Sequence, residues 1–153
     1  MIYKRACRVI GLAGLASLGL FSSLALNGCS TQSTRSSNCE TNFTTKGSFL
    51  TGKQFSTSEI IHNVSKKYAY AELYRILASD GYYIQSSNEH LGVISAYQNV
   101  NLSDKKAPLN ALVKASAEDV EVSLNFVASA GVFTPEGGAR AEFCRIIHRI
   151  NEK

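Results

Sequence analysis

The second half of the chain predicts an α+β domain: a helix, an antiparallel sheet of about four strands, and a closing helix, with both helices packed on one sheet face. Three observations carry this. Ala69, Leu73, Ile76 and Leu77 recur at helical spacing. Val120, Val122, Leu124 and Phe126 alternate strictly with Glu121, Ser123 and Asn125, the signature of a half-buried strand. Phe143, Ile146, Ile147 and Ile150 then return to helical spacing near the C-terminus.

The folded part is expected to begin at Glu59, where a patch of Ile60, Ile61 and Val64 reads as a short first strand. Ser65 can cap a helix from Lys66 to about Ser79, because its hydroxyl can accept from a free first-turn N–H. Asp80-Gly81 ends that helix, with glycine where a left-handed residue is wanted. Tyr82–Ser87 and Gly92–Val100 flank Asn88-Glu89-His90, a link of hairpin length. After a polar loop, Asn101–Ala107, Pro108 is placed at a strand start, where a missing N–H is tolerated. Leu109, Ala111, Val113 and Ala115 alternate with Asn110, Lys114 and Ser116, and Glu118-Asp119 turns the chain into the next strand. Thr134-Pro135-Glu136 supplies an N-cap, a first-turn proline and a first-turn acid for the closing helix. Gly137-Gly138 weaken that first turn, so helical order is expected only from about Ala139. About 95 residues (59–153) of this kind support one modest core, and no internal repeat is visible.

The first 28 residues have a different purpose. Lys4, Arg5 and Arg8 precede an apolar run, Val9 to Leu26, which ends in Leu26-Asn27-Gly28-Cys29. A basic n-region, an apolar h-region and small residues at a cut site make a secretory signal. The run is near the minimum spanning length of about 18 residues, so a single membrane anchor is a competing reading. Its richness in Gly, Ala and Ser and the absence of a basic stop-transfer cluster argue against that. An ordinary secretory signal, with Cys29 left for a disulfide, is the other alternative. The placement of cysteine directly after the small residue resembles the lipobox of bacterial lipoproteins. Leu26 matches the apolar lipobox residue, Gly28 the small one and Cys29 the residue that is lipidated; Asn27 departs from the usual small or β-branched type. The resemblance implies cleavage before Cys29, acylation of Cys29 and attachment to a lipid bilayer. Ser30 after the cysteine, with no Asp there, is what usage in Gram-negative members associates with delivery to the outer membrane, facing the periplasm.

Removal of the signal changes the charge balance. Lys4, Arg5 and Arg8 leave with it, so 16 basic residues become 13 against an unchanged 12 acidic ones. The apparent basicity is a targeting feature and gives no support to a nucleic-acid partner. Residues 29–58 are dominated by Ser, Thr, Asn, Gln and Gly, with only Phe43, Phe49, Leu50 and Phe55 as large apolar residues. They read as a flexible tether that holds the domain clear of the bilayer.

Cysteine arithmetic makes one further structural expectation. Cys7 leaves with the signal and Cys29 becomes a thioether, so Cys39 and Cys144 remain in an oxidising compartment, where two leftover thiols pair. A buried, reduced Cys144 with an unpaired Cys39 is the alternative.

Catalytic and metal-binding chemistry is sparse. Gly47-Ser-Phe-Leu-Thr-Gly52-Lys53-Gln54 falls one residue short of a phosphate-binding loop, since Gln54 replaces the magnesium-binding hydroxyl and no strand is expected before Gly47. Cys144 and His148 lie one helical turn apart, and His62 could approach them, but zinc wants three or four such ligands. A thiol nucleophile at Cys144 with His148 as base would need a reduced thiol and an orienting third group. No catalytic residue, metal ligand or cofactor is therefore assigned. Tyr68, Tyr70 and Tyr74 along the first helix are candidates for a partner surface, since tyrosine is favoured at interfaces.

The order of elements resembles the helix-grip domains in the C component of the bacterial outer-membrane barrel-assembly machine and in other small lipoproteins. The resemblance spans about Val64 to Ile150. It rests on Leu73-x3-Leu77-x3-Gly81-Tyr82, on Gly92-Val93-Ile94-Ser95-Ala96 and on the terminal helix. It implies a non-enzymatic scaffold or accessory role with an envelope protein as partner. The alternative expectation is a carrier that holds a small apolar molecule in the groove between helix and sheet. Labelling of cells with a palmitate analogue is expected to tag the unmodified chain and to fail for Cys29→Ala; equal labelling of both would remove the lipoprotein reading.

Overall fold

The computed structural model describes residues 38–99 and 106–152. The expected signal peptide (residues 1–28), the expected lipidation site Cys29 and the start of the expected tether lie outside these residues. The described elements are α1 (Asn38–Thr41), β1 (Thr44–Ser48), β2 (Gly52–Ile61), α2 (Lys66–Ser79), β3 (Tyr83–Asn88), β4 (Val93–Asn99), β5 (Lys106–Ser116), β6 (Asp119–Ala128) and α3 (Glu136–Arg149). The class is α+β, as expected. The sheet, however, has six antiparallel strands in the order β1-β2-β6-β5-β4-β3, where about four were expected.

The two additional strands come from the segment read as a tether, so the tether over 38–58 and the domain start at Glu59 are both corrected. Average composition concealed an alternation. In β2, Phe55, Thr57 and Ile61 are buried, while Gln54 and Ile60 are exposed and Ser56 and Ser58 half-exposed. Thr and Phe fit a pleated, half-buried surface well, and β2 pairs with β6 over nine residues, from Lys53↔Ala128 to Ile61↔Val120. Ile60 and Ile61, read as the opening of a first strand, are instead the end of this ten-residue strand.

Local signals account for the helices. Ser65 is extended (φ −79°, ψ 151°), and its Oγ accepts from the Tyr68 N–H at 3.2 Å. Ala69, Tyr70, Leu73, Ile76 and Leu77 then fall on the buried face of α2. At the far end Gly81 (φ +84°) lets its own N–H reach the Ala78 carbonyl at 3.4 Å and the Tyr82 N–H reach the Leu77 carbonyl at 3.0 Å. That pair of bonds is a Schellman cap. The closing helix starts at Glu136, one residue later than the Thr134 cap implied. Pro135 takes the N-cap position without a side-chain bond, and the two glycines do not delay the helix. The Glu136–Arg140 ion pair (3.0 Å) spans that weak turn.

Within β5, Pro108 lies inside the strand rather than at its start. The ladder to β6 begins only at Leu109, so Pro108 sits beyond its end, where a missing N–H breaks no rung on that side. The inward residues Ile94, Leu109, Ala111, Val113, Val120, Val122 and Leu124 meet Leu73, Ile76 and Leu77 of α2 and Phe143, Ile146 and Ile147 of α3 in one core. Cys39 joins the same core.

Leu73 and Ile147 are both essentially inaccessible to solvent. Leu73→Ala or Ile147→Ala is expected to cost about 2–5 kcal/mol, read as a large fall in Tm of the residue 38–153 segment. Unchanged melting of both variants would contradict the packing described. Ala117 sits in the left-handed region (φ +53°) in the two-residue β5–β6 turn. Ala117→Gly should therefore raise Tm, by about 1 kcal/mol of relieved strain.

Candidate functional site

The sequence-derived site residues fall at separate places. Cys39 of α1 and Cys144 of α3 form a disulfide, with Cα atoms 5.6 Å apart and a sequence separation of 105. Thr57, buried in β2, donates its hydroxyl to the Cys39 carbonyl at 2.5 Å. Because Cys144 is bonded, it makes no nucleophile with His148. That histidine instead sets Nε2 3.2 Å from Glu59 Oε2. His62 Nδ1 lies 2.8 Å from Asp119 Oδ2, a cross-link between the end of β2 and the start of β6. Among the described residues, no group of three or more His, Cys, Asp or Glu side chains could hold a metal ion. The Gly47–Lys53 segment is the β1–β2 hairpin, with Gly47 paired to Lys53 and Ser48 to Gly52, so its glycines serve a tight turn.

The candidate tyrosine surface is only partly realised. Tyr70 is 7% exposed and belongs to the core, which corrects its assignment to a partner surface. Its spacing to Leu73 and Leu77 (i, i+3, i+7) puts it on the buried stripe. Tyr74 is exposed and Tyr68 half-buried. A different pair is presented on the sheet: Tyr83 of β3, 55% exposed, stacks on Tyr97 of β4 with centroids 5.3 Å apart. Lys106 Nζ sits 4.3 Å from the centroid of the Tyr97 ring. The pairing follows from the register Tyr83↔Tyr97, which the sequence could supply only once the strand ends and the irregularity between Ile84 and Ser86 were known.

These rings stand on the sheet face that points away from the helices. On that face a row of uncharged polar side chains crosses four strands. Ser95 Oγ donates to Asn110 Oδ1 at 3.0 Å, and Asn125 Nδ2 donates to Ser56 Oγ at 3.2 Å; Asn110 and Asn125 face each other in register. Val93 and Leu112 line the row on one side. The resulting open trough has a volume of about 560 Å³, and none of its lining residues is charged.

The groove between the other sheet face and α3 is smaller. Tyr82, Gln98, Phe126, Pro135 and Phe143 line about 190 Å³. Phe43, Phe55, Phe126 and Phe143 fill the adjoining space in a chain of ring contacts 6.0–6.5 Å apart. Burial, reinforced by Glu142, pushes the Tyr82 phenol up to about 12.

Electrostatics concentrate at one junction. Asp80 caps the C-terminus of α2, where a negative charge is unfavourable. Burial would raise its pKa, yet hydrogen bonds from Arg149 (2.8 Å) and Arg145 (2.7 Å) of α3 outweigh this and hold the carboxyl below its ordinary value. Arg145 also binds Glu142 at 2.8 Å, so the ends of the two helices share one ionic network.

No protein-family model matches the chain, and no curated relative does. Among solved structures, a conserved protein of unknown function from Enterococcus faecalis is similar at 10% identity and a TM-score of 0.48, over 75% of this chain and 80% of that one. Ara h 8.0201 is similar at 10% identity and a TM-score of 0.33, over 63% of this chain and 95% of that one. Likenesses of this degree carry nothing about activity or partners.

Asp80→Asn is expected to lower stability by about 1 kcal/mol at pH 7, as urea or thermal denaturation would show. A carboxyl whose folded pKa is depressed contributes stability that is present above its unfolded pKa of about 3.9 and is lost as pH falls through the folded value. The difference between wild type and Asp80→Asn should therefore shrink as pH drops below about 4. A constant difference down to pH 2 would contradict the network's role.

Proposed function

We propose that this chain is an envelope lipoprotein, anchored through acylated Cys29, whose domain acts as a non-enzymatic scaffold or accessory module for another envelope component. The partner-binding surface in this reading is the outward sheet face. The observation that carries it is the uncharged Ser95–Asn110–Asn125–Ser56 row, with the Tyr83–Tyr97 pair beside it on the same unpartnered face. Amide and hydroxyl groups supply hydrogen bonds at modest desolvation cost, and stacked tyrosines supply contact area at low entropic cost. Outer-membrane attachment facing the periplasm follows from the lipobox and Ser30, and belongs to the same proposal. Among the described residues, no helix is long and apolar enough to cross a membrane, which is compatible with attachment by lipid.

The carrier alternative has less support. A drug-sized ligand needs a pocket of about 300–1,000 Å³. Of the two grooves between sheet and α3, the apolar one offers about 190 Å³ with aromatic rings filling the space behind it, and the larger, about 390 Å³, is edged by the polar and charged side chains of Glu59, His62, His148 and Glu152.

A photo-crosslinking residue in place of Asn110 or Tyr83 in living cells is expected to give one discrete adduct with an envelope protein. The same residue in place of Arg75, on the exposed side of α2, should give none. Equal adducts from both positions, or no adduct from the sheet face, would overturn the assignment of that face.

A further inference from the structure

We propose that the loop end of the domain formed by the β1–β2 hairpin and the β6–α3 connection is a second membrane contact, one that inserts apolar side chains into an anionic bilayer surface. The two loops are joined: the Gly131 N–H donates to the Phe49 carbonyl at 2.9 Å. Gly52, at the base of the hairpin, packs so close to Ala128 and Ala130 that a Cβ there would meet their backbone atoms at 3.0–3.4 Å. This joined end displays large apolar side chains to solvent. Leu50 is 82% exposed, Phe133 81% and Phe49 48%. Core packing does not require any of them.

Charge selects the occupant. Lys46 and Lys53 flank the hairpin turn and line one shallow depression with Val127 and Ser129. Neither lysine forms an ion pair among the described residues. No acidic residue occurs between Glu40 and Glu59, or between Glu121 and Glu136. The first carboxylate beyond Phe133, Glu136, is paired with Arg140 at 3.0 Å, so exposed Phe and Leu ahead of lysines that have no ion-pair partner among the described residues match an interface of acyl chains beneath anionic headgroups. A protein partner of acidic character would satisfy the lysines but would not explain three protruding apolar side chains on loop tips. Ser48 and Thr51 brace the hairpin turn through a 3.0 Å hydroxyl contact and a 3.1 Å bond from the Ser48 N–H to the Thr51 hydroxyl, so the tip is a shaped element. The contact is independent of acylation at Cys29 and can be tested without it.

The segment of residues 34–153 is one compact unit that contains every core member among the described residues and both cysteines of the disulfide. Co-sedimentation of this segment with vesicles of phosphatidylethanolamine and phosphatidylglycerol is expected to show binding that weakens as salt rises, with little binding to phosphatidylcholine alone. The triple variant Phe49→Ser, Leu50→Ser, Phe133→Ser should bind at least tenfold more weakly while melting at the same temperature. Lys46→Gln with Lys53→Gln should remove most of the salt dependence, whereas Lys67→Gln, on α2, should leave binding unchanged. Absence of binding by the unmodified segment, or equal binding by the triple variant, would overturn the proposal. Dimerisation in sedimentation equilibrium that the triple variant abolishes, without vesicle binding, would identify a second copy as the occupant and overturn it too.

Discussion

The bond between Cys39 and Cys144 fixes α1 onto the closing helix, and the first two strands depend on that attachment. Between Asn38 and Ile61 few side chains can bury substantial apolar area, chiefly Phe43, Phe55 and Ile61. Their burial has to offset the ordering of some two dozen residues, each costing about 1–2 kcal/mol of backbone entropy. A cross-link closing a loop this long removes on the order of 4–5 kcal/mol of unfolded-state entropy by the chain-entropy model. It also places α1 over β2, so that the Cys39 carbonyl accepts from Thr57. A buried hydroxyl without that acceptor would cost about 1–3 kcal/mol. The covalent bond, the Thr57 hydrogen bond and the Phe43–Phe55–Phe143 ring contacts thus support the same junction.

How far the fold could be read from the sequence follows the same division. The segments with strong local periodicity, from Lys66 to Ser79 and from Val120 to Phe126, lie where the apolar spacing put them, and the Ser65 and Gly81 caps operate as their chemistry requires. Strands β1 and β2 were obscured because serine and threonine occupy both their inward and their outward positions. The averaged composition then looked like that of a tether. A finer signal was present in Phe55-x-Thr57-x-Glu59-x-Ile61, and in two glycines bracketing a turn. What the sequence could not supply was the partner, since β2 finds β6 some 70 residues away. The disulfide was legible from compartment and count alone. The candidate tyrosines were less so: Tyr70 could have been placed on the core by its spacing to Leu73, but the Tyr83–Tyr97 stack depends on inter-strand register.

The sheet has two faces with opposite chemistry, and this separates stability from recognition. Every large residue between the helices and the sheet is committed to packing, including the aromatic side chains that might otherwise have opened a ligand groove. The opposite face contributes little to the core. Its Asn, Ser and Tyr side chains can therefore be changed without destabilising the fold, and the charges on that face (Lys46 at the hairpin end, Lys106 on β5, Lys114 opposite Glu121 and Asp119 at the far end) lie outside the central row.

Recovery of residues 38–58 into the domain also changes what the proposed anchorage would mean mechanically. Were the fold to begin at Glu59, a tether from Cys29 could extend about 100 Å, enough to sample partners far from its bilayer. With Asn38 already in α1, the anchor proposed at Cys29 would leave nine peptide steps, about 30 Å even when fully extended. Cys39 sits inside the core, so that link ends at a fixed point on the body of the domain rather than at a swinging strand. If the proposed acylation holds, a domain on so short a link would present one end or another to the lipid. An apolar tip at Phe49, Leu50 and Phe133 would then select which end, and would set the orientation of the outward sheet face relative to the membrane.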